Sequence, residues 1–455
     1  MKNYDSIMIG FGKAAKTLAL DLAQAGERVA IIEQSRLMYG GTCINEGCIP
    51  SKSLINSSRE LTDSDSFETR REHYRQAIIK KNNLTSTLRQ KNYDKIVSMP
   101  NAEVIDGHAE FMDAHTLRVS HDGEAELITG TKIFINTGSY SFVPPVPGLR
   151  ESKYLHTSKT LMELPELPLE LLIIGGGYIG LEFASLYADF GSKVTVLQNT
   201  SEFMGRDDRE IAAEILNVLS RKIEFRFETE LKTVTDLDGV AEVVWTENGQ
   251  TFSRKASAVL AATGRRPNID SLNLSAAGIA VEKGAIKVDE LLRTTAPNVW
   301  ALGDCKGGLM FTYISLDDYR IVKSQLSGGS RTSANRGEVP YSVFINPVYS
   351  HIGMTAEQAS AAGYQTSVGR LAVNAIPKAK VLRKPDGLLK AVIDAETGLI
   401  LGVSLFCEES YEMINLIKLA MDHKIPYTVL RDEIYTHPTM SEAFNDLFKS
   451  VKLGK

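Results

Sequence analysis

Cys43 and Cys48 are the residues whose type and spacing point most directly to chemistry. They lie in the segment Gly40-Gly-Thr-Cys43-Ile-Asn-Glu-Gly-Cys48-Ile-Pro-Ser-Lys52. Four intervening residues, an entry through two glycines and a closing Pro50 suggest a disulfide at the start of a helix. Unpaired N–H groups there lower a thiol pKa and raise the thiolate fraction. A metal site is a weaker reading, because no further Cys or His with ligand spacing accompanies the pair. A buried structural pair is disfavoured because the cysteines follow so closely on a nucleotide-binding pattern. Cys305 and Cys407 are isolated and read as small buried apolar residues. Near the C-terminus, His437-Pro-Thr-Met-Ser-Glu442 combines an imidazole, able to move protons near neutral pH, with an acid able to fix its tautomer. Taken alone, such a histidine is more often a satisfied surface or core residue.

Two glycine loops set the context for the cysteines. Ser6 to Ile9 reads as a strand, followed by Gly10-Phe-Gly12-Lys-Ala-Ala15, a helical pattern through Leu18, Leu20 and Leu22, and a second strand, Val29 to Ile32, ending at Glu33. Gly10 permits the tight turn, Gly12 lets a pyrophosphate approach the backbone, and Ala15 allows close helix packing. Glu33 stands where a ribose hydroxyl is bound. The pattern recurs about 165 residues later: a strand at Leu171 to Ile174, the loop Gly175-Gly-Gly177-Tyr-Ile-Gly180, a helix to Phe190 and a strand at Val194 to Leu197. Gln198 occupies the partner position of the second unit. An acid there would favour NADH and an arginine cluster NADPH. The residues settle on neither, beyond lacking a phosphate clamp, which leans toward NADH. One βαβ unit of this kind could be chance; two imply two dinucleotides, a reduced nicotinamide and a flavin, passing an electron pair inward.

The remaining chain must position these groups. At 455 residues, two to four domains are expected. A hydrophobic content of 43% with 24% charged residues excludes wholesale disorder. A net charge of −5 offers no footprint for nucleic acid or anionic lipid. No targeting or membrane segment is visible, and a cytoplasmic protein is expected. Arg59 to Lys95 reads as helices of the first domain, and Val104 to Ile135 as a β meander. Pro144, Pro145 and Pro147 mark a crossing between domains, Ala262 to Asn268 the exit from the second nucleotide unit, and Arg336 to Pro340 the start of a last region of strands and helices. The expected domains are 1–148, 149–265, 266–335 and 336–455.

In this order the motifs resemble the pyridine nucleotide-disulfide oxidoreductases, the family of glutathione reductase, dihydrolipoamide dehydrogenase and mercuric reductase. The resemblance extends through Thr137-Gly138, Ala262-Thr-Gly264-Arg265-Arg-Pro267, Ala301-Leu-Gly303-Asp304 and the His437 segment. It implies an α/β protein with two Rossmann-like dinucleotide-binding domains, for FAD and NAD(P)H, and a C-terminal α+β dimerisation domain. Gly41, Thr42, Thr137, Gly138, Gly264, Arg265 and Gly303 then join the loop glycines as cofactor-binding positions. Asp304 resembles the acid that holds the ribityl chain of FAD. Lys52 and Glu182 resemble an ion pair beside the flavin N5 edge. Tyr178 resembles the aromatic gate that moves when nicotinamide enters. Cys48 resembles the thiol nearer the flavin, and Cys43 the thiol that meets the substrate. His437, oriented by Glu442, resembles the acid/base that reaches the cysteines of the other subunit, so a homodimer is expected.

Departures narrow the expectation. The chain ends Val451-Lys-Leu-Gly-Lys455 without the C-terminal cysteine pair of mercuric reductases, and no N-terminal metal-binding extension is seen, so mercury is not the expected substrate. Glu46 puts a negative charge between the cysteines, where it could disfavour anions or tune the thiols. Lys13 in the first loop is either solvated or near a phosphate. Phe134-Ile-Asn-Thr-Gly138, Phe311 to Arg320 and Ala375 to Ala379 resemble a group of flavoproteins associated with reactive-chlorine resistance and also credited with copper(II) reduction. The expected activity is NAD(P)H-dependent reduction of a small oxidant, with hypothiocyanous acid leading: Cys43 attacks the electrophilic sulfur, thiocyanate is released, and Cys48 reforms the disulfide. The alternatives are a dihydrolipoamide dehydrogenase or other disulfide reductase, a copper(II) or metal reductase, and a metal-binding protein with Cys43 and Cys48 as ligands.

Overall fold

In the computed structural model, residues 1–62 and 64–452 are described. The last three residues, on which part of the expectation about the chain's end falls, lie outside them.

The first glycine unit forms as its pattern requires. Strand Lys2–Ile9 leads into helix Lys13–Gln24, and strand Val29–Glu33 lies parallel to the first. Both strands are flanked on two faces, so their apolar residues run consecutively rather than alternating. Ile7, Met8, Ile31 and Phe134 are fully buried. Strand Ala102–Asp106 adds parallel to Val29–Glu33 on one side, and Glu124–Ile135 adds parallel to Lys2–Ile9 on the other. The expected meander is thus only partly a meander. His108–Phe111, Thr116–His121 and Glu124–Ile135 pair antiparallel in sequence, whereas Ala102–Asp106 crosses to the far edge of the sheet. Its residues are half-buried throughout and give no alternating pattern to read. Much later, Val299–Ala301 returns to pair with Glu124–Ile135 and carries Gly303 and Asp304 to the end of this sheet.

The second unit is a five-stranded parallel sheet built on Glu170–Ile174, Lys193–Leu197, Ile223–Arg226, Ala258–Ala261 and Leu155–His156. Helix Tyr178–Phe190 starts at the glycine loop and ends on Gly191 in the left-handed region. A three-stranded antiparallel sheet spanning Glu230 to Ala256 lies alongside, an element the sequence reading did not single out. The C-terminal region carries a five-stranded antiparallel sheet, including Leu388–Asp394 and Ile400–Phe406, packed by helices Ser410–Asp422 and Ala443–Lys449.

Between the units, the charged segment forms one 31-residue helix, Phe67–Val97, capped by the Ser66 side chain accepting the Thr69 N–H. It starts eight residues later than Arg59. Tyr74, fully buried, packs against Tyr187 and Phe190 of the second unit, and a single apolar core joins them to Leu54 of the cysteine helix, Cys48–Ser58. This core fixes the cysteines relative to the second glycine loop. No helix of the described residues is long and apolar enough to cross a membrane.

Candidate active site

Each cysteine sits at the start of a helical turn. Cys43 lies in the short helix Thr42–Asn45, and Cys48 is the first residue of Cys48–Ser58. Gly41, at φ +83°, allows the loop to press on the first glycine unit; a Cβ there would lie 2.8 Å from Gly12 Cα. Both cysteines carry free thiols. The pair behaves as one acid. Cys43 is pulled down to about 6, chiefly by the hydrogen bond from Cys48. The same hydrogen bond, with burial, pushes Cys48 up. The first proton leaves easily and the second with difficulty, so the charge belongs to the pair. Thr312 Oγ1 stands 3.7 Å from Cys48 Sγ and favours the thiolate of both sulfurs. Thr312 opens the 15-residue helix Thr312–Leu326, whose N-terminus therefore faces the sulfurs as well.

One helical turn beyond Cys48, Lys52 Nζ meets Glu182 Oε2 at 2.7 Å. Glu182 is itself one turn beyond Tyr178, so two i,i+4 rows, Cys48–Lys52 and Tyr178–Glu182, are tied together at their far ends. The second Glu182 oxygen accepts the Phe344 N–H at 2.9 Å, and Lys52 lies over the Phe344 ring. Both sides of the pair are thus engaged, as a half-buried ion pair requires.

The rows open on a continuous cleft of about 2450 Å³, lined at one end by Gly10, Gly12 and Glu33, in the middle by Thr42, Cys43, Cys48, Lys52, Tyr178 and Glu182, and at the other end by Gly175, Gly177 and Gln198. That is more than twice the roughly 300–1,000 Å³ of an ordinary small-molecule site. Thr137, Gly138, Gly264, Arg265 and Asp304 also line it. Arg265 Nε donates to Ser139 Oγ, which donates to Asp304 Oδ2 at 2.6 Å. Ser139 is a member of this relay that carries no motif of its own. Ala15, Gly180 and Gly303 line no part of the cleft. They serve its framework, most plainly at Gly180, where a Cβ would lie 2.0 Å from Gly175 O.

The loops fit dinucleotides. Glu33 is buried at the end of its strand and accepts the Phe11 and Ser35 N–H groups; burial nevertheless raises its pKa. Among the described residues the amides of Gly177, Tyr178 and Ile179 have no acceptor, leaving the second helix N-terminus open to a phosphate. In the first loop Asn136 adds a constraint of its own. Asn136 Oδ1 accepts the Ala15 N–H and would lie 2.3 Å from a Gly12 Cβ. Gly12 is therefore demanded by Asn136, and only the Gly12 and Lys13 amides remain unengaged. Asn136 also donates to Leu302 O and so ties three loops together. Gln198 is 8% exposed; its Nε2 donates to Thr200 Oγ1 and Glu202 O, and its buried Oε1 has no hydrogen-bond partner among the described residues.

Several further residues find partners. Glu46 is paired with Lys159 across the cleft, so its charge is neutralised locally. Lys16 is buried, donates to Gly40 O at 2.9 Å and is pulled down to about 8 by burial. Cys305 and Cys407 are fully buried, as expected. Among the described residues no cluster of three or more His, Cys, Asp or Glu could hold a metal ion. His437 is 68% exposed, with Nδ1 2.7 Å from Glu442 Oε2, and neither residue lines the cleft of its own chain.

Two dinucleotide cradles meeting at a dithiol define a flavoprotein disulfide reductase. The chain belongs to the pyridine nucleotide-disulphide oxidoreductase family: residues 4–318 match the family's model, and residues 339–448 match its dimerisation domain. It is 49% identical to the probable pyridine nucleotide-disulfide oxidoreductase RclA of Escherichia coli K12, over 99% of this chain and all of that protein. A mercuric reductase of Lysinibacillus sphaericus is 32% identical over 97% of this chain and 81% of its own. Among solved structures, the Cu(II) complex of the HOCl-induced flavoprotein disulfide reductase RclA from E. coli superposes with a TM-score of 0.94 at 48% identity, covering 99% of this chain and all of the other. The chain is accordingly an oxidoreductase with the family's cofactors, FAD and a reduced pyridine nucleotide. Its C-terminal region is of the dimer-forming type.

Proposed function

We propose that this protein uses NADH to reduce a small electrophilic oxidant, hypothiocyanous acid foremost, through Cys43 and Cys48. The observation that carries the reading is a hydrogen-bonded dithiol at two helix starts, set between two dinucleotide cradles. The HOCl-induced character of the E. coli relative supports a role in reactive-chlorine defence. FAD, held by Glu33, Asp304 and the first glycine loop, would accept hydride from the nicotinamide and deliver two electrons to the disulfide. The Cys43 thiolate then attacks the sulfur of hypothiocyanous acid, forming an S–S bond and expelling hydroxide, which takes up a proton and leaves as water. Cys48 attacks the Cys43 sulfur, thiocyanate leaves, and the disulfide is restored. In sum, NADH and HOSCN give NAD⁺, thiocyanate and water. His437 of the partner subunit supplies the proton, its ring held by the partner's Glu442.

A substrate panel tests this reading. Hypothiocyanous acid should turn over faster than oxidised glutathione or lipoamide, and preference for either of the latter would overturn it. The Cu(II) complex of the E. coli relative favours a second reading, in which one dithiol reduces two Cu(II) ions to Cu(I); Cu(II) belongs in the same panel.

Two further outcomes are expected. The rate of oxidant reduction should climb with pH through about 6 and level off above, because the thiolate is the nucleophile. Stopped-flow reoxidation of the reduced protein across pH 4.5–8, an interval chosen to span roughly the range from protonated to ionised thiol, measures it. NADH should be preferred to NADPH by about tenfold or more in kcat/KM. Gln198 offers a 2′-phosphate no charge and no free donor, because its Nε2 is engaged by Thr200 and Glu202 and its Oε1 is buried. Gln198→Arg should narrow that ratio.

A further inference from the structure

Tyr178 does not hang free at the mouth of the second glycine loop. Its hydroxyl donates to Asp207, with Oδ2 at 3.1 Å and Oδ1 at 3.3 Å. Asp207 is 4% exposed and forms no salt bridge with Lys, Arg or His among the described residues. Its charge is met by phenols instead. Tyr349, fully buried, donates to Oδ1 at 2.9 Å, and Tyr341 donates to the same oxygen. Burial pushes all three phenol pKa values up, and the carboxylate adds to the effect, so each phenol remains a donor. The Tyr178 and Tyr341 rings are stacked, with centroids 5.2 Å apart and planes at 21°. His351, which faces both Tyr341 and Tyr349, is buried and held down in pKa; its ring nitrogens are engaged by Ser404 and Gly353.

Tyr341 and Tyr349 belong to the C-terminal sheet, in strands Tyr341–Val343 and Tyr349–Gly353, whereas Tyr178 starts the helix of the second dinucleotide unit. Asp207 lies in the loop that runs from Gln198 to the next helix, Arg209–Leu219. One carboxylate therefore receives one side chain from the second glycine loop and two from the C-terminal sheet.

We infer that Asp207 is the latch of the Tyr178 gate, a positioning residue that holds the ring closed against Tyr341 and sets how readily nicotinamide enters. This rests on the reading of the second cradle as the nicotinamide site. When Tyr178 swings out, one hydrogen bond to Asp207 and one ring stack are lost, while Tyr341 and Tyr349 keep the carboxylate partnered. Binding of a nicotinamide is weakened by the fraction of molecules in which the gate is closed. The three donors compete for one group. Removing the Tyr178 hydroxyl unlatches the gate. Removing the Tyr341 hydroxyl leaves Asp207 more dependent on Tyr178 and closes the gate harder.

The test is calorimetric binding of tetrahydro-NAD, a nicotinamide analogue unable to donate hydride, to the oxidised holoenzyme. It is paired with stopped-flow reduction by NADH and with a melting temperature for each variant. Tyr178→Phe should tighten the analogue about three- to tenfold. Tyr341→Phe should weaken it by a similar factor of about three or more. Asp207→Asn keeps an acceptor oxygen and should fall between wild type and Tyr178→Phe. Shifts of one sign in both tyrosine variants, or none in either, would overturn the latch, since a merely structural contact gives no reason for opposite signs. If NADH fails to reduce the wild type at all, the underlying reading has failed, and the two failures are told apart in one experiment.

Discussion

Cys43→Ser will lower NADH-driven reduction of hypothiocyanous acid by about three orders of magnitude or more, while bound flavin is still bleached by NADH. The expectation follows from where the charge can sit. In the wild type the first proton of the pair is lost near neutral pH because the second thiol remains to donate to the first. A serine at position 43 removes the nucleophile whose thiolate the pair favours. Thr312 and the Thr312–Leu326 helix N-terminus still favour a thiolate at Cys48, but that sulfur has no neighbour with which to close a disulfide. Cys48→Ser should fail differently. Cys43 can attack once, after which its thiocyanate adduct persists, visible as a mass increase on the peptide containing residue 43. Equal loss in both variants with no trapped adduct would contradict the order of attack.

The second large effect is His437→Ala, with a loss of about 100-fold or more in turnover and a smaller loss for Glu442→Gln. His437 Nδ1 donates to the Glu442 carboxylate at 2.7 Å, yet the ring stands outside the cleft that holds Cys43 in its own chain. It is therefore proposed to serve the sulfurs of a partner subunit, and pairing of variant chains tests that. Co-expression of Cys43→Ser and His437→Ala chains gives a sharp arithmetic. In a mixed dimer one site carries both lesions and the other neither, so random pairing restores about a quarter of wild-type activity. If His437 acted within its own chain, no pairing would restore any.

Much of this site is legible in the sequence because its chemistry is local. Gly175 and Gly180 are required by backbone contacts within a few residues and by the neighbouring strand end, and Cys43, Cys48 and Lys52 are set by the turns of two short helices. The recurrence of the βαβ grammar is enough to place Glu33 and Gln198 at corresponding strand ends. What the sequence conceals are partners that only the fold brings together. Asn136, Ser139, Thr312 and Asp207 are ordinary polar residues in no periodic pattern, and their partners lie far away in the chain: Asn136 to Leu302, Ser139 to Asp304, Asp207 to Tyr349. Gly12 carries a second constraint of the same hidden kind, since a Cβ there would meet the side chain of Asn136. Strand Ala102–Asp106 escaped the meander because only its parallel register with Val29–Glu33 reveals its place.

The account turns on electrons reaching the two sulfurs, and anaerobic differential alkylation measures this directly. The oxidised holoenzyme is first blocked with one maleimide, then given one equivalent of NADH, then a heavy-isotope maleimide. The account predicts heavy label on Cys43 and Cys48, none on Cys305 and Cys407, and loss of that label after one equivalent of hypothiocyanous acid. NADH consumption that leaves both cysteines without heavy label would contradict it.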